Sequence, residues 1–165
     1  MAAPWTYGTP GNLTYGPNSG SDHLGSLANG SAVVIDWNNL SAGAVPVDIT
    51  YSPIALTVAG AAAGTMTLLA IFSLDGTNNT DLILGTDITG GTNVAAKLVT
   101  APIVSVINAA SSAQFSFAPF SLMSVWNGLV MPQYGGLVML NNSGGAVAAT
   151  SGTNNVATKS ITPFA

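Results

Sequence analysis

Cysteine, arginine and glutamate do not occur in this chain of 165 residues; lysine occurs only as Lys97 and Lys159, and histidine only as His23. Without cysteine there is no disulfide framework and no thiolate metal site. Charged residues make up 5% of the chain, where an ordinary soluble domain has about 25%. The acids are all aspartate: Asp22, Asp36, Asp48, Asp75, Asp81 and Asp87. Helices draw their exposed faces from Glu, Lys, Arg and Gln, so the shortage argues against a helical fold. A net charge of −4 with two lysines lacks the basic footprint that nucleic-acid binding requires. Few charges also mean weak repulsion between copies, which favours work inside an assembly; the alternative is a monomer with a Thr- and Asn-rich surface. Met1 to Thr6 has neither a basic region nor an apolar core, so no signal peptide is expected and synthesis in a cytoplasm is.

Hydrophobic residues make up 48% of the chain, and the rest is rich in Thr, Asn, Ser and Gly, which suit strands and turns. The length fits one domain with a real core. The stretch that organises it runs from Thr65 to Asp81. With period-two alternation, Met66, Leu68, Ala70, Phe72 and Leu74 share one face and Thr67, Leu69, Ile71 and Ser73 the other. Both faces carry large apolar groups, so this strand is expected in the middle of a sheet with both sides covered. Asp75-Gly76 and the Asn and Thr residues after it predict an exposed loop.

Residues 1–20 read as an extended amino-terminal arm. Pro4, Pro10 and Pro17, with Gly8, Gly11, Gly16 and Gly20, prevent regular structure, and Trp5, Tyr7 and Tyr15 are interleaved among them. Such an arm grips a neighbour or folds back over its own sheet. Residues 21–165 read as one β-sandwich domain. Besides the Thr65–Leu74 strand, strands are expected at Ala32–Trp37, Val45–Tyr51, Val94–Thr100, Ile103–Ile107, Gln114–Phe117, Gly136–Leu140, Ala146–Thr150 and Val156–Ile161, with Ile54–Val58 either continuing the Val45–Tyr51 strand or beginning another. Ser121 to Pro132 reads as a short helical turn or a loop, with Leu122, Met123 and Trp126 against the core. About eight to ten short strands at this spacing suit an antiparallel sandwich or barrel. One stretch competes as a membrane span: no charge occurs from Ile49 to Leu74, and Gly60 to Gly64 form a GxxxG motif. It lacks flanking Lys or Arg anchors, and Thr57, Thr65 and Thr67 interrupt it, so two strands joined by a Gly/Ala connection are expected instead.

Residues able to carry chemistry are few. His23 has only its neighbour Asp22 as a nearby acid, and adjacent side chains diverge in an extended chain; no Gly-x-Ser-x-Gly elbow is present. Asp75, Asn78 and Asp81 share a loop, as calcium ligands would, but without the further acids and terminal Glu of an EF-hand. No phosphate-cradling loop leads into a lysine. These residues point to no catalytic residue, cofactor or metal. Trp5, Trp37, Trp126 and the tyrosines could stack on sugars, though in a β fold aromatics more often serve the core or an interface.

Three segments, taken together, resemble small virion proteins of tailed bacteriophages: Leu24 to Ala32, Phe72 to Asp81, and Leu140 to Val156. The resemblance extends from Leu24 to Ile161. It implies a jelly-roll-like β-sandwich that decorates or cements the head, or projects from it as a fibre or spike. No catalytic residues come with it. Together with the scarcity of charge, it leads to an expected homo-oligomer, with a trimer favoured, that binds the major capsid protein or other virion proteins; Trp5, Tyr7 and Tyr15, the aromatics of the arm, are the expected contact residues. Nucleic acid and membrane are not expected as partners, and the expected location is the virion, assembled in the host cytoplasm. The alternative is a receptor- or glycan-binding tip module, or a bacterial surface adhesin subunit.

Overall fold

A computed structural model describes residues 11–12, 27–41, 47–51, 54–59, 63–75, 101–109, 114–126, 132–147 and 158–163. The described residues form eleven strands and one 3-10 turn, with no α-helix. In chain order the strands are β1 (Gly11–Asn12), β2 (Ser31–Asn39), β3 (Val47–Tyr51), β4 (Ile54–Ala59), β5 (Thr65–Ser73), β6 (Ile103–Asn108), β7 (Gln114–Phe117), β8 (Phe120–Ser121), β9 (Tyr134–Asn142), β10 (Ala146–Val147) and β11 (Thr158–Pro163); the 3-10 turn is Leu122–Val125. All pairings are antiparallel. The protein is all-β.

The strands make three sheets, ordered β2-β9-β5-β6, β1-β11-β3-β8 and β10-β4-β7. The first is central, and β5 lies inside it, buried from Met66 to Ser73. Met66, Leu68, Ala70 and Phe72 face the main core, where they join Val33, Ile35, Leu137 and Met139 of the same sheet, Ile49 and Tyr51 of β3, Val58 of β4, Phe117 of β7 and Val147 of β10. Leu69 and Ile71 face the other way, into a second cluster with Ala32, Val34, Val138 and Ala101. The expected strand buried on both faces is therefore present, ending one residue early. Leu74 lies beyond Ser73 and is 54% exposed, so it does not continue the Phe72 face. The stretch that could span a bilayer as a helix instead forms β4 and β5, and no helix among the described residues is long and apolar enough to cross a membrane.

Two bulges re-aim side chains in this sheet. Val34 pairs with Val138 and Asp36 with Leu137, so Ile35 is an extra residue. Ile35 and Asp36 consequently both turn towards the main core, and Trp37 reaches the second cluster. On β6, Ser105 pairs with Leu68 and Ile103 with Leu69, so Val104 is extra. Val104 and Ile107 both pack on the main core, and the register places Ile103 and Val106 beside Leu69 and Thr67 on the opposite face.

Of residues 1–20, the structure describes only Gly11–Asn12, which pairs with Thr158–Lys159 of β11. Trp5, Tyr7 and Tyr15 lie outside the described residues, as does the expected strand Val94–Thr100.

Candidate interaction surface

Three groups of polar side chains in the described structure could be mistaken for a reactive site, and each is engaged in holding the fold. The first exists because of the β2 bulge. It turns Asp36 inward, and Oδ2 accepts hydrogen bonds from Tyr51 Oη and Asn38 Nδ2, each at 2.7 Å. A buried carboxylate needs such donors to offset its lost hydration. Burial, and then the nearby Asp36 charge, push the Tyr51 hydroxyl well above its ordinary pKa, so it stays a neutral donor. The ring stacks on Phe120 at 5.1 Å. The second group surrounds Asp48. Its Oδ1 accepts from the Ile49 and Met123 amides at 2.7 and 3.1 Å, and its Oδ2 from Ser121 Oγ at 2.5 Å. Ser121 caps the 3-10 turn by accepting from the Ser124 amide. Asp48 thus ties β3 to that turn, which presses Leu122 into the core.

The third group closes the opposite end of the central sheet. Asn141 is fully buried. Its Nδ2 donates to the Leu27 and Gly145 carbonyls at 2.8 and 2.9 Å, and its Oδ1 accepts from the Ser143 amide at 3.0 Å. Asn29 Oδ1 accepts from the Gly144 amide at 2.8 Å. Gly30 and Gly144 have φ of 77° and 89°, which their missing Cβ permits.

The expected site residues are scattered or outside the described residues. His23, Asn78 and Asp81 are outside. Asp75 Oδ1 accepts from Ser73 Oγ at 3.1 Å, and no group of three potential metal ligands occurs among the described residues. The aromatics among the described residues do not form one platform. Tyr51 is in the core, Trp126 tilts on Phe72 at 4.8 Å, and Trp37 stacks on Tyr134 at 6.0 Å.

What stands out is apolar surface on β6. This is the outermost strand of its sheet, paired only with β5 among the described strands. Ile103 is 61% and Val106 50% exposed, whereas Leu69 and Ile71 on the same face are buried. The second cluster thus continues outward into an exposed apolar margin. β6 carries no charge and no proline, the devices that usually blunt an edge strand. Sequence reading found the strand but not its exposure, because period-two alternation does not distinguish an edge strand from an interior one.

No family model, no curated protein and no solved structure matches this chain.

Proposed function

We propose that this chain is a non-enzymatic structural protein of a tailed-phage virion, a β-sandwich of jelly-roll type that decorates or cements the capsid exterior or builds a projection from it. The observation supporting this reading is that two of the three segments carrying the resemblance meet in one hydrogen-bonded corner. Ser31 and Ala32 pair with Asn141 and Leu140, the Val147 amide donates to the Leu27 carbonyl, and the Asn141 side chain reaches that same carbonyl. The segments thus belong to one structural unit rather than to unrelated turns. The described polar groups are engaged in structure, in keeping with a protein that acts by shape.

On this reading the chain associates with itself as a closed symmetric oligomer, and the amino-terminal arm clamps capsid subunits through Trp5, Tyr7 and Tyr15. With 5% charged residues, attachment rests on apolar burial and backbone hydrogen bonds and is insensitive to salt. Co-sedimentation with capsid shells across a salt series tests this. Binding that holds at high salt, and is lost when Trp5, Tyr7 and Tyr15 are all changed to Ala, is the expected result. Absence of co-sedimentation, or attachment that collapses with added salt, overturns it. The Trp37–Tyr134 pair, both rings half-buried and nearly parallel at 9°, favours a second reading as a glycan-binding tip module. Binding on a glycan array that is lost in Trp37→Ala selects it.

A further inference from the structure

We infer that the outer edge of β6 is a seam between two copies of this chain, paired antiparallel about a two-fold axis into one continuous sheet. This needs only the chain itself and stands apart from the capsid reading. An edge strand presents a row of backbone N–H and C=O groups that another strand can complete. On β6 these groups are flanked by Ile103 and Val106, exposed on one face.

The bulge makes the strand complementary to its own reverse. Ser105 pairs with Leu68 and Ile103 with Leu69, which leaves Val104 extra and brings Ile103 and Val106, three apart in sequence, onto one face. A two-fold axis passing between Val104 and Ser105 sets Ile103 against Val106 of the second copy, and Val106 against Ile103 of the second copy. Both apolar side chains are covered in a single pairing, and the axis repeats it, as an isologous interface requires. The margin also continues the apolar face formed by Leu69, Ile71 and Val138. The choice of occupant follows from charge. Ile103 to Asn108 has none, so a charged partner finds no complement, while a second copy meets no repulsion. The assembly is then even-numbered, a dimer or a pairing of dimers, in place of the trimer expected from sequence.

The test begins with the molar mass of the purified full-length chain by light scattering, together with Val106→Lys and Ile103→Lys. The parent is expected to run as an even-numbered oligomer. Each lysine is expected to weaken association about a hundredfold or more, with an unchanged circular dichroism spectrum because both sites are exposed. A second measurement adds no charge and uses the absence of cysteine. The double variant Ile103→Cys with Val106→Cys is expected to give a disulfide-linked dimer under mild oxidation, because directly opposed residues lie close enough to bridge. Thr50→Cys, exposed on β3, is expected to give none. A monomeric or trimeric parent, lysine variants that keep the parent mass, or a cysteine pair that links no better than Thr50→Cys each overturns the seam. Lysine variants that keep their mass but lose attachment to shells overturn it too, and assign β6 to a different chain while leaving the capsid reading intact.

Discussion

Changing Tyr51 to Phe removes one hydroxyl and leaves the ring, its burial and its stacking on Phe120 in place. What is lost is the 2.7 Å bond to Asp36 Oδ2, in a fully buried setting. A hydrogen bond to a charged partner contributes about 1.5–3 kcal/mol. Asn38 still donates to the same oxygen at 2.7 Å, so part of the compensation survives and we expect a loss of about 2 kcal/mol. For a chain of this size that lowers Tm by about 4–8 °C. The substitution also has a pH signature. Burial and the Asp36 charge raise the Tyr51 pKa in the folded state. The contribution is therefore fully present below the unfolded tyrosine pKa of about 10. It is lost as pH rises from there towards the folded value, since the unfolded chain releases this proton first. Urea unfolding followed by tryptophan fluorescence, at neutral pH and through the alkaline range, reads both effects. Tyr51→Phe is expected to be less stable at neutral pH and to decline less steeply above about pH 10. A variant within about 0.5 kcal/mol of the parent at neutral pH, with the same alkaline decline, would refute the argument that this hydroxyl compensates a buried carboxylate.

Three further outcomes follow from the same structure. In Gly136→Ala the new Cβ is driven into the backbone oxygen of Asp36 and the Trp37 ring, on the strand paired with it; a loss of about 3 kcal/mol is expected in thermal melts, and a fully stable variant contradicts the β2–β9 register. Asn141→Ala leaves the Ser143 amide without its acceptor and takes one of two donors from each of the Leu27 and Gly145 carbonyls, for a loss of about 2–3 kcal/mol by chemical denaturation; a loss below about 1 kcal/mol contradicts the buried network. Asp48→Ala releases the 3-10 turn from β3 at a cost of about 1–2 kcal/mol, and faster hydrogen exchange at the Met123 amide, with β5 still protected, is the local signature.

Much of the strand pattern was legible because it depends on local alternation. Ile49 and Tyr51 share the buried face of β3, as alternation from Val45 implies, and Leu122, Met123 and Trp126 pack on the core around a short helical turn, one of the two forms expected there. What alternation cannot carry is a bulge. Neither Ile35 nor Val104 is a glycine or otherwise marks the extra residue, yet each reverses which side chains share a face from that point on. The turn expected at Asn141 to Gly145 begins two residues later, after Asn142. Asn141 reads as a turn former because its side chain competes for backbone groups. Here it finds Leu27, which is 114 residues away, and stays within the strand. The Asp36–Tyr51 bond, 15 residues apart and made across two sheets, was illegible for the same reason.

These long-range polar contacts answer a problem the central sheet creates for itself. In a sheet with one wet face, a one-residue slip turns apolar side chains to water, and that cost fixes the register. The β2–β9–β5 sheet is buried on both faces, so a slip exchanges one apolar row for another and hydrophobic burial discriminates weakly. Register must then come from groups that fit in only one alignment. Asp36 meets Tyr51 Oη only if the bulge stands at Ile35. Asn141 satisfies its partners only if Ser31 lies opposite it. Gly136 admits the Asp36 carbonyl and the Trp37 ring, where any side chain would clash. Buried polar groups are a weak source of net stability but an effective source of uniqueness when each is satisfied in a single arrangement. A chain with so few charges has little else with which to set its register.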